Sequence, residues 1–262
     1  MKKIILVLVL AVSMFSCDKE SIMIEESNLT SDLSIYDEDD MGIYKGVFTT
    51  LDSELRGVVT ISIVNTSSPV AVIKMTNGTT IRLESNTYSN GDRINDLVFT
   101  YNPSEDAYQS MSLNFTVSVN GNNPIVSNVR LNGVLGYISV IKEKSYSAVS
   151  PTTGTYTCVL CTQPTTFSAI TYVENGQLLV STQLIFNGEL YLGSGAINGS
   201  CTIANGITTC PMGGSTVISS GTINWSGVVS FEPLDCTRMT GVWTKTPSGT
   251  GANGTFESDE CL

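Results

Sequence analysis

The chain has 262 residues, 41% of them hydrophobic and 14% charged, with 24 acidic residues against 13 basic and no histidine. That length allows one large or two modest domains with proper cores, and the recurrence of apolar residues argues against a disordered tail. A net charge of −11 argues against a nucleic-acid partner, because phosphate contact needs clustered Lys and Arg, and sparse charge with 23 glycines does not fit a helical bundle.

Lys2 and Lys3 precede an uncharged run over residues 4–15, too short to span a bilayer and therefore a targeting segment. The run Met14-Phe15-Ser16-Cys17 resembles a bacterial lipobox, with the small residue kept before the cysteine and Met14 standing where leucine is standard. Lys-Lys, an apolar run and Phe-Ser-Cys together resemble lipoproteins of the Bacteroidetes, of flavobacterial type. The resemblance implies a signal peptide over residues 1–16 and acylation of Cys17, palmitate included. It also implies a membrane partner reached through that lipid, and an outer-membrane lipoprotein on the periplasmic face or the cell surface. Each buried methylene contributes roughly 0.8 kcal/mol, so several chains anchor firmly. The alternative is ordinary secretion with Cys17 as a spare thiol. Asp18-Lys19-Glu20 is similar to the charged signal that sends some of these lipoproteins to the outer face; a solvated linker is the plain reading.

Residues 17–40 are expected to form an acidic, disordered tether. Asp18, Glu20, Glu25, Glu26, Asp32, Asp37, Glu38, Asp39 and Asp40 face Lys19 alone, and like charges extend a linker. Beyond residue 41 the pattern changes to short apolar runs punctuated by glycine turns. Asn-Gly, the dipeptide of tight hairpins, begins at Asn77, Asn90, Asn120, Asn132, Asn175, Asn187, Asn198, Asn205 and Asn253. Strand-type runs flank the turns at Asn77, Asn175 and Asn187, and nothing of ten residues or more shows a helical stripe. The fold class expected is all-β, an antiparallel meander forming β-sandwich or small β-barrel domains with a disulfide-stabilised C-terminal half. A boundary is expected near residues 145–154, polar and carrying Pro151 and Gly154. It divides an N-terminal all-β domain, 41–147, from a C-terminal cysteine-containing all-β domain, 150–262; one continuous barrel or sandwich is the alternative. The openings Gly42-Ile43-Tyr44, Gly154-Thr155-Tyr156, Gly241-Val242-Trp243 and Gly254-Thr255-Phe256 are similar to those of small up-and-down barrels such as lipocalins and avidins, a likeness that implies no ligand.

Acylation of Cys17 would leave six cysteines, an even number for a compartment that permits disulfides. A two-residue turn at Asn205-Gly206 pairs Ala204 with Ile207, Ile203 with Thr208, Thr202 with Thr209 and Cys201 with Cys210. The last is a non-hydrogen-bonded pair, whose Cα separation of roughly 4.5 Å suits a disulfide. Cys158, Cys161, Cys236 and Cys261 allow three pairings that sequence does not decide. Separate bonds from Cys158 and Cys161 to Cys236 and Cys261 are favoured, and zinc on the thiolates is the lesser alternative.

The absence of histidine removes Ser-His-Asp and Cys-His chemistry and histidine metal ligands. No phosphate-cradling loop occurs, and no cofactor is expected. A carboxylate pair, as in glycoside hydrolysis, would come from Glu232, Asp235, Glu257, Asp259 or Glu260, all of which read more simply as charged turn and tail. Asp37, Glu38, Asp39 and Asp40, or Asp92, Asn95 and Asp96, offer oxygen to calcium but lack the calcium-loop spacing, so no metal site is assigned. Trp225 and Trp243 are the candidate ligand platform, Trp243 reading as core, with Tyr101, Tyr108, Tyr172 and Tyr191 as further aromatic surface. The leading expectation is a non-catalytic binding module for a glycan or a protein. A carrier of a small ligand inside a closed barrel is a variant of it. A structural component of the envelope comes next, and an enzyme last.

Overall fold

In the computed structural model the described residues are 33–52, 54–64, 69–85, 94, 97–101, 110–158, 165–186, 189–232, 236–247 and 253–261. Cys17 and the expected signal peptide lie outside them. The N-terminal barrel comprises β1 (Gly42–Thr50), β2 (Arg56–Ile63), β3 (Val70–Met75), β4 (Thr80–Ser85), β5 (Leu97–Tyr101), β6 (Met111–Thr116), β7 (Ile125–Leu131) and β8 (Val134–Lys142). Each strand pairs antiparallel with the next, and β8 returns to β1. The C-terminal barrel comprises β9 (Ser150–Cys158), β10 (Thr165–Glu174), β11 (Gln177–Phe186), β12 (Glu189–Ile197), β13 (Thr202–Ala204), β14 (Ile207–Ile218), β15 (Gly221–Glu232), β16 (Cys236–Thr246) and β17 (Asn253–Ser258). It closes through β12–β14 and β17–β9, with β13 continuing the edge of β14 beyond the end of β12. The all-β antiparallel meander is therefore realised as two closed eight-stranded barrels rather than as sandwiches.

Both barrels close with the same stagger. Following the register once around returns to β1 eight residues along, from Ile43 to Leu51, in the first barrel. In the second it returns to β12 eight residues along, from Leu190 to Asn198. Strand number and stagger set barrel width, and eight strands enclose little more than their own side chains. The N-terminal interior is filled by Tyr44, Phe48, Phe99, Phe115 and a shell of Ile, Val and Leu. Tyr44 meets Phe115 edge-on at 4.9 Å. The C-terminal interior pairs rings with glycines: a Cβ at Gly195 or Gly214 would collide with Trp225, and one at Gly241 with Phe256.

The Asn-Gly hairpins take two forms. At Asn132-Gly133, Asn175-Gly176 and Asn205-Gly206 both residues have positive φ, which makes the two-residue turn whose twist matches the strands. At residues 76–78 only Gly78 is positive, and Gly78 N–H donates to Met75 O while Met75 N–H donates to Thr79 O. That is a three-residue loop with a glycine bulge, one residue longer than the sequence reading. The turn at Asn187-Gly188 lies outside the described residues, between paired β11 and β12.

The cysteine hairpin has the expected register, Thr202 opposite Thr209, Ile203 opposite Thr208 and Ala204 opposite Ile207. Cys201 and Cys210 are disulfide-bonded at a Cα separation of 4.2 Å. Cys236 is bonded to Cys261, at 5.5 Å, which corrects the expectation that these two bridge separately to Cys158 and Cys161. The bond ties the start of β16 to the chain just after its neighbour β17. Those two strands are already paired, so the partners meet by local pairing rather than across the barrel. Cys161 lies outside the described residues, and Cys158 is described only as the backbone partner of Gly254.

Two segments that composition marks as boundary or tether are ordered. The polar run 150–154 is the start of β9, not a linker: Pro151 pairs with Ile170 in a stretch where β17 does not yet flank β9, so its missing N–H breaks no ladder on that side. Residues 33–40, expected as the end of a disordered tether, are folded onto the first barrel. Leu33–Tyr36 is a short 3₁₀ turn. Lys142 Nζ donates to the carbonyls of Tyr36 and Asp39, and Tyr44 Oη donates to Asp40 O. Burial foremost, then the Lys144 charge, pushes the Lys142 ammonium below its usual range. Burial pushes the Tyr44 phenol up.

The barrels belong to one compact unit, Asp32–Leu262. Val47 of β1 packs on Val149 and Ile170, with Ile141 and Tyr172 alongside. Arg56 Nε and Nη2 donate to the Asp259 carboxylate at 2.6 and 2.5 Å, and Thr153 Oγ1 donates to the same group at 2.8 Å. This packing buries β1 and β10 on both faces, which is why neither strand alternates cleanly in sequence.

Candidate functional site

Strand alternation decides what each barrel encloses. Along β15, Ile223, Trp225 and Val229 turn inward; along β16, Met239 and Trp243 do the same. Trp225 lies directly opposite Trp243 across the ladder, so the two indoles share one interior face. Trp243 is 5% exposed, meets Tyr156 edge-on at 5.8 Å and donates its Nε1–H to Thr157 O at 3.0 Å. Trp225 is half-buried, its ring over Gly195 and Gly214. The solvent-facing platform proposed for this pair is therefore not formed; the expectation that Trp243 belongs to the core matches its position. Period-two alternation puts both on odd-numbered inward positions, while the polar neighbours that suggested exposure lie on the outer face.

These rings do not fill the interior. A cavity of about 40 Å³ remains, lined by Tyr156, Val180, Thr182, Thr216, Trp225, Trp243 and further apolar side chains. A single water needs roughly 10–15 Å³ on the same measure, so the space holds more than one water or one small apolar group. Its wall is almost wholly apolar. The polar atoms are few: the Thr182 and Thr216 hydroxyls, 3.3 Å apart, and the Trp225 Nε1–H, which is buried and has no partner among the described residues. Tyr156 is committed elsewhere. Its hydroxyl donates to Ile185 O at 2.9 Å, and burial raises its pKa to about 12. The lining thus carries no charged group, and one of its side chains holds a buried N–H without a partner among the described residues. Thr182 and Thr216 were not singled out from sequence. The signal available was a hydroxyl at an inward position of an otherwise apolar alternation, Val180-x-Thr182-x-Leu184.

The other candidate residues are dispersed. Glu232 is paired with Arg238 at 3.1 Å, Asp259 is held by Arg56 and Thr153, and Glu257 and Glu260 are exposed. Asp235 lies outside the described residues, and the structure brings no two of the described candidate carboxylates together around a common cleft. At Asp37–Asp40 the cation is the protein's own: the Lys142 ammonium takes the carbonyls of Tyr36 and Asp39, while Asp37 accepts from Ser145 at 2.9 and 2.6 Å. A hydrogen bond with Asp40 holds the Asp39 carboxyl below its usual range, and burial followed by that same bond raises Asp40. No group of three or more potential metal ligands occurs among the described residues. Asp92, Asn95, Asp96 and Tyr108 lie outside them. Tyr101 packs against the first core, Tyr172 against the seam between the barrels, and Tyr191 bonds to Ser219 at 2.9 Å and to Glu189. They form no shared aromatic surface.

Comparison with family models, with curated proteins and with solved structures found no match to this chain.

Proposed function

We propose that this chain is an envelope-anchored lipoprotein, acylated at Cys17, and a non-catalytic binding module whose C-terminal barrel takes a small, neutral, largely apolar molecule in its interior. One observation carries the reading. The interior of the second barrel keeps an apolar cavity, and one of the side chains lining it carries an unpartnered indole N–H, whereas the described interior of the first is occupied by Tyr44, Phe48, Phe99, Phe115 and aliphatic side chains. Eight-stranded barrels that bind do so in such a cavity, with a few placed polar groups to orient the ligand. The free N–H calls for an oxygen or nitrogen acceptor on that molecule. The anchor rests on Lys2, Lys3, the apolar run and Phe15-Ser16-Cys17. A structural or interaction role in the envelope is the second reading, favoured by Ile203, Val217 and Val242, which stand exposed on the outside of the same barrel.

The test uses the fact that both tryptophans of the chain line this cavity. Titration of the oxidised protein with acetonitrile and methanol, small enough for a cavity of about 40 Å³, should change tryptophan emission saturably. The change should be weaker for ethane, which lacks an acceptor. Emission that moves only linearly with every compound would sink the interior-binding reading. Lipidation is tested separately: labelled palmitate should be incorporated by cells expressing the wild-type chain and not by those expressing Cys17→Ser.

A further inference from the structure

We propose that the recess between the two barrels is a second binding site, for an uncharged molecule about one saturated ring in size that presents an oxygen acceptor beside an apolar face. The recess measures about 270 Å³ and is formed by the outer faces of β7 and β8 on one side and of β11 and β12 on the other. It is separate from the barrel interior. Thr182 and Leu184 of β11 turn inward to the first cavity, while Gln183 between them turns outward to this one.

Its chemistry is mixed and uncharged. No carboxylate, ammonium or guanidinium is among the lining residues, which excludes an ionic ligand held by charge. Leu135, Leu190 and Leu192 supply apolar wall, and Leu192 is 61% exposed. The polar end is the amide of Gln183, only 2% exposed. Its Oε1 accepts from Ser139 Oγ at 2.8 Å, joining the barrels, and its Nε2 has no partner among the described residues. A buried amide with one end bonded and one end open is costly at a seam that an apolar side chain could fill. Turned toward the recess, this open end would donate to a ligand's acceptor oxygen, with the leucines against the ligand's carbon face. Recesses at the junction of two folded bodies are common places for small molecules. On the measure by which one water needs roughly 10–15 Å³, the recess has ample room for a single ring.

The experiment is a titration of the oxidised protein with cyclohexanol and with a methyl pyranoside, followed through backbone amide shifts, with benzoate as the charged comparison. Saturable shifts centred on Ser139, Gln183 and Leu192 are expected with at least one neutral probe. Leu192→Lys, at an exposed position, should weaken binding roughly tenfold or more, about 1.4 kcal/mol or above. The double variant Ser139→Ala/Gln183→Leu removes the polar pair together and should weaken it similarly while the melting temperature holds or rises. Trp225→Phe should leave it unchanged, which separates this site from the barrel interior. Any one of four results overturns the proposal: no saturable shift with either neutral probe, benzoate binding as well as they do, undiminished binding by Leu192→Lys, or loss of binding in Trp225→Phe.

Discussion

Replacing Trp225 and Trp243 by phenylalanine, one at a time, tests the unpartnered N–H on which the proposed interior site depends. The two indoles sit opposite each other on the same face of the same barrel, so truncation removes the same atoms from closely similar surroundings. Lost packing should cost each variant about 1–2 kcal/mol, a fraction of the ~3–5 kcal/mol of a full Trp→Ala truncation. The polar terms then differ in sign. Trp243→Phe also loses the 3.0 Å bond to Thr157 O, about 1 kcal/mol. Trp225→Phe removes a buried donor with no partner, which returns about 1–3 kcal/mol. Trp243→Phe should therefore be destabilised by about 2–3 kcal/mol and Trp225→Phe by nearly nothing. A gap of about 3 kcal/mol corresponds to roughly 6–12 °C in melting temperature for a folded body of this size. Urea unfolding followed by circular dichroism and by the remaining tryptophan would measure it, with equal m-values required for the comparison. Equal losses, or a larger loss in Trp225→Phe, would show that the Trp225 N–H is already satisfied and remove the basis for an acceptor-bearing ligand.

Asp40→Asn should stabilise the protein at neutral pH. The raised carboxyl means that the folded state keeps a proton the unfolded chain has released. Its stabilising contribution is complete below the unfolded value near 3.8 and is lost as pH rises through the folded value, so the variant's advantage in thermal melts should shrink as pH falls from 7 toward 4. The double variant Cys201→Ala/Cys210→Ala should lose about 2–3 kcal/mol by the chain-entropy account of a short loop, with faster amide exchange confined to β13 and the adjoining half of β14. A loss of protection in the N-terminal barrel would contradict that local role. Asp259→Ala leaves Arg56 without its two-pronged partner and should cost about 1–3 kcal/mol. The cost should fall to under about 1 kcal/mol when Arg56→Met is made as well; independent, additive effects in that double-mutant cycle would mean the pair does not couple the barrels.

Local geometry was legible in the sequence. Asn205-Gly206 demands positive φ at two successive residues, which sets a two-residue turn, and that turn alone places Cys201 opposite Cys210. The same dipeptide took a three-residue loop at Asn77, because its glycine suits either turn and the dipeptide does not encode loop length. Alternation told that the body is all-β. It did not reveal Gln183, which reads as an ordinary polar outward residue until β8 of the other barrel arrives against it. Nor did it reveal β9: Ser150-Pro151-Thr152-Thr153-Gly154 has linker composition, and it is strand because β10 supplies its ladder.

What the sequence determined by itself is therefore whatever depends on neighbours within a dozen residues: the strands, most of their turns, the hairpin disulfide and the antiparallel meander. Tertiary structure decided what depends on distant neighbours. Closure of β8 onto β1 in one barrel, and of β17 onto β9 and β12 onto β14 in the other, made barrels of what sequence left as sandwich or barrel. Closure also turned both tryptophans into an interior they do not fill, while Cys236 meets Cys261 through the pairing of β16 with β17. A side chain's direction is set by its own strand, but whether that direction meets solvent, core or a cavity is set by strands folded from elsewhere in the chain.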